Sequence, residues 1–234
     1  MSLDWNGDIS GSTVTITCRV RVAPPILKWS VDTLYTYTIY ANGDVVVDMS
    51  GVIDGSGAPE TFPRIGLRMA LPNDCELAEW YGRGPGEAYS DSKQAAKFGI
   101  YRKTVRELFA EYIVPQENGN RTDIRWLAMT NKQGAGLLAT GSPQSPQFDF
   151  TARRHTSEDL EKARHTVELN EHDRVYLHLD LAQNGLGSAS CGPGVLPQYV
   201  LKAENFHFQV RLTPLTSGTG SPELSYGQVK RWTR

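Results

Sequence analysis

Apolar side chains recur at every second position along most of this chain. Between residues 13 and 22, Val14, Ile16, Cys18, Val20 and Val22 point one way, and Thr13, Thr15, Thr17, Arg19 and Arg21 point the other. A period of two puts successive side chains on opposite faces of an extended backbone, so the stretch predicts an antiparallel strand with one buried and one wet face. The pattern returns in Ile65, Leu67, Met69 and Leu71. It returns again in Val175, Leu177, Leu179 and Leu181, with Tyr176, His178 and Asp180 opposite, and in Phe206, Phe208, Val210 and Leu212, with His207, Gln209 and Arg211 opposite. Residues 34–40, rich in Tyr and Thr, lead through Asn42-Gly43 into three valines starting at Val45, the strand–turn–strand signature of a hairpin. Helix signals are few. Thr156 followed by Asp159 predicts a capping box before a short helix with Leu160, Ala163 and Val167 on its apolar stripe, and residues 91–98 predict another. The expected fold is therefore all-β, large antiparallel sheets packed as a sandwich with one or two short helices.

The 234 residues suffice for one domain with a substantial core. Residues 12–213 contain no linker and are read as that domain. Residues 1–11 are read as an added start or a partial domain edge, and 214–234 as a loose tail, since 216–222 are rich in Ser, Gly and Thr. A net charge of −2 without a basic stripe predicts no nucleic-acid partner. No apolar run has the length of a membrane span, and no signal peptide is evident. The three cysteines, Cys18, Cys75 and Cys191, lack metal-site spacing and are too few for a disulfide framework, which predicts a reducing, cytoplasmic setting.

Two loops stand out from this background: WYGRGPGEAYSD at 80–91 and YIVPQENGNRTDIRW at 112–126. Glycine permits positive φ and proline presets the turn, so the charged and aromatic groups acquire fixed directions. The shape-holding residues expected here are Tyr81, Gly82, Gly84, Pro85, Glu87 and Tyr89 in the first loop. In the second they are Pro115, Glu117, Asn118, Gly119, Arg121, Arg125 and Trp126. A third stretch, NGLGSASCGP at 184–193, joins two strong strand patterns and offers Asn184, Ser188, Ser190 and Cys191 to a ligand, or serves as a plain crossover.

Several chemistries compete for these residues. Glu87 and Glu117 are the best candidates for a glycosidase pair, which needs carboxyl groups about 5–5.5 Å apart in a retaining enzyme. The stronger alternative is that they accept loop N–H bonds or pair with Arg83, Arg121 or Arg125. His178 and His207 occupy polar strand faces and converge only if their strands pair; otherwise they are solvated or cleft-lining. None of the five histidines has HxxxH or HExxH spacing, so no metal site is predicted. Trp80, Tyr81, Tyr89, Tyr112 and Trp126 either stack on sugar faces or anchor the loops in the core, the latter favoured for the two tryptophans.

In order, these three motifs, with PRIGL at 63–67, resemble the C-terminal domain of the β-galactosidases of glycoside hydrolase family 2, over about residues 62–213. The resemblance implies a galactose mutarotase-like supersandwich from an enzyme that hydrolyses terminal β-galactosides such as lactose. It places the catalytic glutamates and the magnesium and sodium ions in other domains, including a TIM barrel that the strand pattern here does not contain. The partners implied are that barrel and its companion domains, a galactoside substrate, and further copies in a homo-oligomer. The 184–193 loop is expected to reach the active-site mouth through Asn184, Ser190 and Cys191. Cys191 stands where some members carry a sugar-stacking Trp, and the Asp-Arg that follows the motif tyrosine in the family reads Asp91-Ser92-Lys93. The chain is therefore expected to complete a site and to have no catalytic residue of its own. An aldose 1-epimerase and a stand-alone carbohydrate-binding module are the alternatives.

Overall fold

A computed structural model describes residues 2–6, 13–188, 192–218 and 221–231. The strands in chain order are β1 (Ser2–Asn6), β2 (Thr13–Val22), β3 (Trp29–Tyr40), β4 (Val45–Gly55), β5 (Arg64–Pro72), β6 (Leu77–Gly84) and β7 (Lys97–Thr104). They continue with β8 (Arg121–Ile124), β9 (Trp126–Thr130), β10 (Gly136–Gly141), β11 (Phe148–Arg153), β12 (Arg174–Gln183) and β13 (Phe206–Leu215). Three short helices accompany them: α1 (Val105–Leu108), α2 (Ser157–Lys162) and α3 (Pro222–Arg231), with 3-10 turns at Thr166–Glu168 and Pro197–Tyr199. The fold is all-β, as the alternation predicts.

Among the described residues every strand pairing is antiparallel. A nine-stranded sheet runs β1-β2-β3-β4-β13-β10-β9-β6-β7, and a four-stranded sheet runs β5-β12-β11-β8. The two inner faces share one core. Val47, Met49, Trp80, Phe208 and Val210 of the larger sheet pack with Ile65, Phe148, Phe150, Leu177 and Leu179 of the smaller. The Trp80 ring meets that of Phe150 edge-on at 5.5 Å, an aromatic geometry favoured beyond its buried area.

The Asn42-Gly43 hairpin forms as predicted, with Gly43 at φ 88° and Tyr40 N donating to Asp44 O at 2.9 Å. The expected half-buried face of β2 is mostly open, because Val14 and Val22 are 39% and 56% exposed and only Cys18 is buried. Strands lie about 4.8 Å apart, so four strands cannot cover nine, and β2 sits one strand from the edge.

The Thr156 capping box starts α2 as predicted, with Leu160 and Ala163 buried, but Val167 is 90% exposed in the following 3-10 turn. Residues 91–98 do not form a helix. The carbonyls of Lys93 and Ala96 accept from the Arg83 guanidinium at 3.2 and 2.9 Å, and the Ala96 N to Lys93 O bond at 3.2 Å makes a single turn rather than a helix. The tail read as loose carries α3. Its Tyr226 packs against Trp126 on the outer face of the larger sheet, beside Leu138 and Leu215, which supplies the apolar contact a short helix needs.

Candidate functional site

The outer face of the smaller sheet is polar, yet along β11 and the second half of β12 it is buried. Phe148, Phe150 and Ala152 of β11 face the core, so Asp149, Thr151 and Arg153 point outward, and each is at most 8% exposed. His178 and Asp180 of β12 join them, at 6% and 1% exposure. The loops carrying the three motifs supply the partners of this face and bond to one another above it.

Loop one and loop two are joined at several points. Ala88 N donates to Asn120 O at 2.8 Å, and Asn120 Nδ2 donates to Ala88 O at 2.9 Å. Glu87 accepts from Gly119 N at 2.8 Å and from the Tyr112 hydroxyl. The buried Arg121 guanidinium donates to the carbonyls of Leu108, Gly119 and Pro85. Gly119 has φ 75°, and a Cβ there would sit 2.7 Å from Leu108 O, so glycine is required on both counts. Loop two is pinned to the sheet by Arg153, whose two terminal nitrogens hold Glu117 at 3.0 and 2.7 Å. Loop three is tied to loop one where Gly187 N donates to Asp91 Oδ2 at 2.7 Å. It is tied to loop two through its adjoining residue Gln183, whose Nε2 donates to Asn120 Oδ1 at 2.9 Å. Three segments separated in sequence thus form one assembly.

Beneath the loops lie charges that alternation alone did not single out. Asp149 and Asp180 stand directly opposite each other on paired strands. Asp180 receives Arg64 at 2.5 Å and Gln183 at 3.1 Å. Asp149 accepts from Asp123 N at 3.2 Å and, among the described residues, forms no salt bridge. Burial pushes both carboxyls up, Asp149 to about 7 and Asp180 to about 6, with the Asp180 charge adding to the shift of Asp149 and Arg64 opposing that of Asp180. Burial, with Arg64, Arg153 and Arg68 adding, pulls His178 down to about 3, so the ring is neutral. Burial also lowers Arg121 to about 10 against the pull of Glu87. Burial and then the hydrogen bond to Glu87 raise Tyr112 to about 12.

At the rim Asp123 has φ 60°, strained for a non-glycine residue. Its carboxylate is held by Arg83 at 2.6 Å and Lys93 at 3.1 Å, and these bonds outweigh burial and keep its pKa low. The Asp91-Ser92-Lys93 sequence therefore still supports an ion pair, made by Lys93 with loop two.

Both loop carboxylates are engaged: Glu87 caps loop two, and Glu117 pairs with Arg153 and with Arg64 at 3.4 Å, not with Arg83, Arg121 or Arg125. Gly82 and Gly84 end β6, and Pro85 O accepts from Arg121. Pro115, Asn118 and Arg121 are buried. Tyr81 packs beside Trp126 on the outer face of the larger sheet, and Arg125 lies over the Phe98 ring at 5.6 Å. Tyr89 is 2% exposed, so it presents no platform for a sugar, and burial followed by Glu87 and Glu117 raises its hydroxyl. Trp80 and Trp126 are core residues. His178 and His207 do not converge, because β12 and β13 belong to different sheets and His207 bonds Asp48 at 3.0 Å. Asn184 accepts from Leu201 N at 2.8 Å, closing the base of its loop. Ser190 and Cys191 lie outside the described residues. Among the described residues no group of three His, Cys, Asp or Glu is arranged to hold a metal ion.

The model of the β-galactosidase small-chain family matches residues 2–212. The β-galactosidase of Kluyveromyces lactis is 38% identical over 204 residues, 87% of this chain and 19% of that enzyme. The β-galactosidase of an Arthrobacter species is 35% identical over 165 residues, 70% of this chain and 16% of that enzyme. The chain spans less than a fifth of the length of either relative. Among solved structures, a galactose mutarotase related enzyme from Lactobacillus acidophilus aligns with 94% of this chain and 73% of its own at 8% identity and a TM-score of 0.41. An aldose epimerase homologue from C. elegans aligns with 86% and 65% at 14% identity and a TM-score of 0.43.

Proposed function

The chain belongs to the β-galactosidase small-chain family, and from that premise we propose that it is the C-terminal part of a β-galactosidase of glycoside hydrolase family 2, bracing the mouth of the active site and performing no hydrolysis alone. One observation carries the reading: the three motifs converge through the Glu87–Gly119, Gln183–Asn120 and Asp91–Gly187 bonds into one braced set of loops, in a chain that spans under a fifth of its relatives. Buried hydrogen-bond networks rigidify what they join, and Glu87, Glu117, Asp91 and Asp180 each accept at least one bond within this assembly. In this reading the catalytic carboxylates and the magnesium and sodium ions belong to other domains of a cytoplasmic, homo-oligomeric enzyme. The 184–193 loop then meets the galactoside, with Cys191 offering a thiol in place of an aromatic ring and so weakening preference for the leaving-group sugar.

Nitrophenyl β-galactoside tests the proposal. The chain alone is expected to release no nitrophenol, and the rest of its enzyme, supplied separately, is expected to gain at least tenfold in turnover when the chain is added. Turnover by the chain alone that disappears in Glu87→Gln or Glu117→Gln would overturn it.

A further inference from the structure

Loop two is inside out. Its polar residues Asn118, Asn120 and Arg121 are at most 2% exposed, while Ile113 and Val114 are 91% and 58% exposed. A loop in water normally does the reverse, since each buried aliphatic side chain gains roughly 1.5–3 kcal/mol. These two residues are not simply carried on a mobile tip. Tyr112 before them is bonded to Glu87, Pro115 after them is buried, and Asn118 Oδ1 accepts from Ala110 N at 3.1 Å. A third large apolar residue, Val167, is 90% exposed on the neighbouring 3-10 turn, which is attached to loop two where Thr166 Oγ1 donates to Tyr112 O at 3.4 Å.

Between these two segments opens a cavity of about 350 Å³, whose wall includes Glu111, Thr166, Val105, Phe109, Leu169 and His155. Its lining is mixed: Val105, Phe109 and Leu169 are apolar, with the His155 ring 5.3 Å from that of Phe109, and Arg106, Arg153, Arg154 and Glu171 bring charge to the rest of the wall. Ile113 and Val167 therefore project from segments that border a socket with an apolar part, Val105, Phe109 and Leu169, and a charged one. Three branched side chains held outward around such a socket make a surface that isolated, scattered apolar residues would not. The relatives are more than five times as long as the matched region, so most of the polypeptide that would cover this face lies outside the chain.

We propose that the face built from Ile113, Val114, Val167 and the adjoining cavity is the seat of another part of the same enzyme's polypeptide, which lays apolar side chains on the three residues and inserts one over Val105, Phe109 and Leu169. The inference rests on reading the chain as one part of a longer β-galactosidase. It adds which surface faces the remainder: the flank of loop two, next to the braced loops.

Hydrogen–deuterium exchange of the chain alone and within its full-length enzyme tests this. Residues 112–116 and 165–169 are expected to exchange at least tenfold more slowly in the enzyme. The double variant Ile113→Asp with Val167→Asp is expected to restore fast exchange there and to lower galactoside turnover at least tenfold, while circular dichroism and melting of the chain alone stay unchanged. Equal exchange of these two segments in both forms, with protection elsewhere on the chain, would overturn the inference and leave the parent reading standing. Protection nowhere on the chain would overturn both. Protection that already grows with concentration in the chain alone would assign the face to a second copy and overturn the inference.

Discussion

At the scale of single residues, the buried acids beneath the loops set the pH response. Asp149 and Asp180 face each other with one guanidinium, Arg64, at bonding distance, so at neutral pH the pair favours keeping a proton. The folded-state pKa of Asp149, about 7, lies above its unfolded value of about 3.9. The folded state therefore binds more protons between these values, and this group's contribution to stability is present below about pH 4 and lost as pH rises to 7. Asp149→Asn keeps an acceptor for Asp123 N and removes the charge. In chemical denaturation its advantage over the parent chain is expected to grow between pH 4 and 7 and level off at about 1–3 kcal/mol above pH 7. His178 acts in the opposite sense, because its folded pKa of about 3 lies below the ordinary value: its contribution is present above about pH 6.5 and lost as pH falls. Gly119→Ala places a side chain at positive φ and against Leu108 O, and thermal melts are expected to report a loss of about 2 kcal/mol or more.

Among the elements, loops and strands differed in how far they could be read. The alternation around Val175–Leu181 and Phe206–Leu212 marked which side chains enter the core, because a period of two depends on local geometry alone. It also placed His178 and Asp180 together on the opposite face, but it labelled that face wet. Burial there comes from loops distant in sequence, and no local pattern encodes which loop covers which strand. The same limit left Arg153 and Arg64 unnamed as partners of Glu117, although a guanidinium partner for the loop carboxylates was foreseen. Composition misled at α3, where the Ser and Gly ahead of Pro222 suggested a loose tail but Tyr226 finds Trp126. Loop two depends on Glu87. Replacing it with Ala strands Gly119 N–H and the Tyr112 hydroxyl, which is expected to cost about 1–3 kcal/mol in denaturant and to speed proteolysis within 110–120.

For the whole molecule, the order of strands matters as much as their number. β13, residues 206–215, pairs with β4 on one side and β10 on the other, so it is the central seam joining the first four strands to the later ones. A chain emerging from the ribosome can pair β2 with β3 and β3 with β4 by short turns, but the two blocks of the larger sheet wait, edges unpaired, until residue 215 has appeared. Long-range pairing of this kind is slow and exposes aggregation-prone edges. Nascent chains stalled before residue 206 should therefore be the ones that chaperones hold longest.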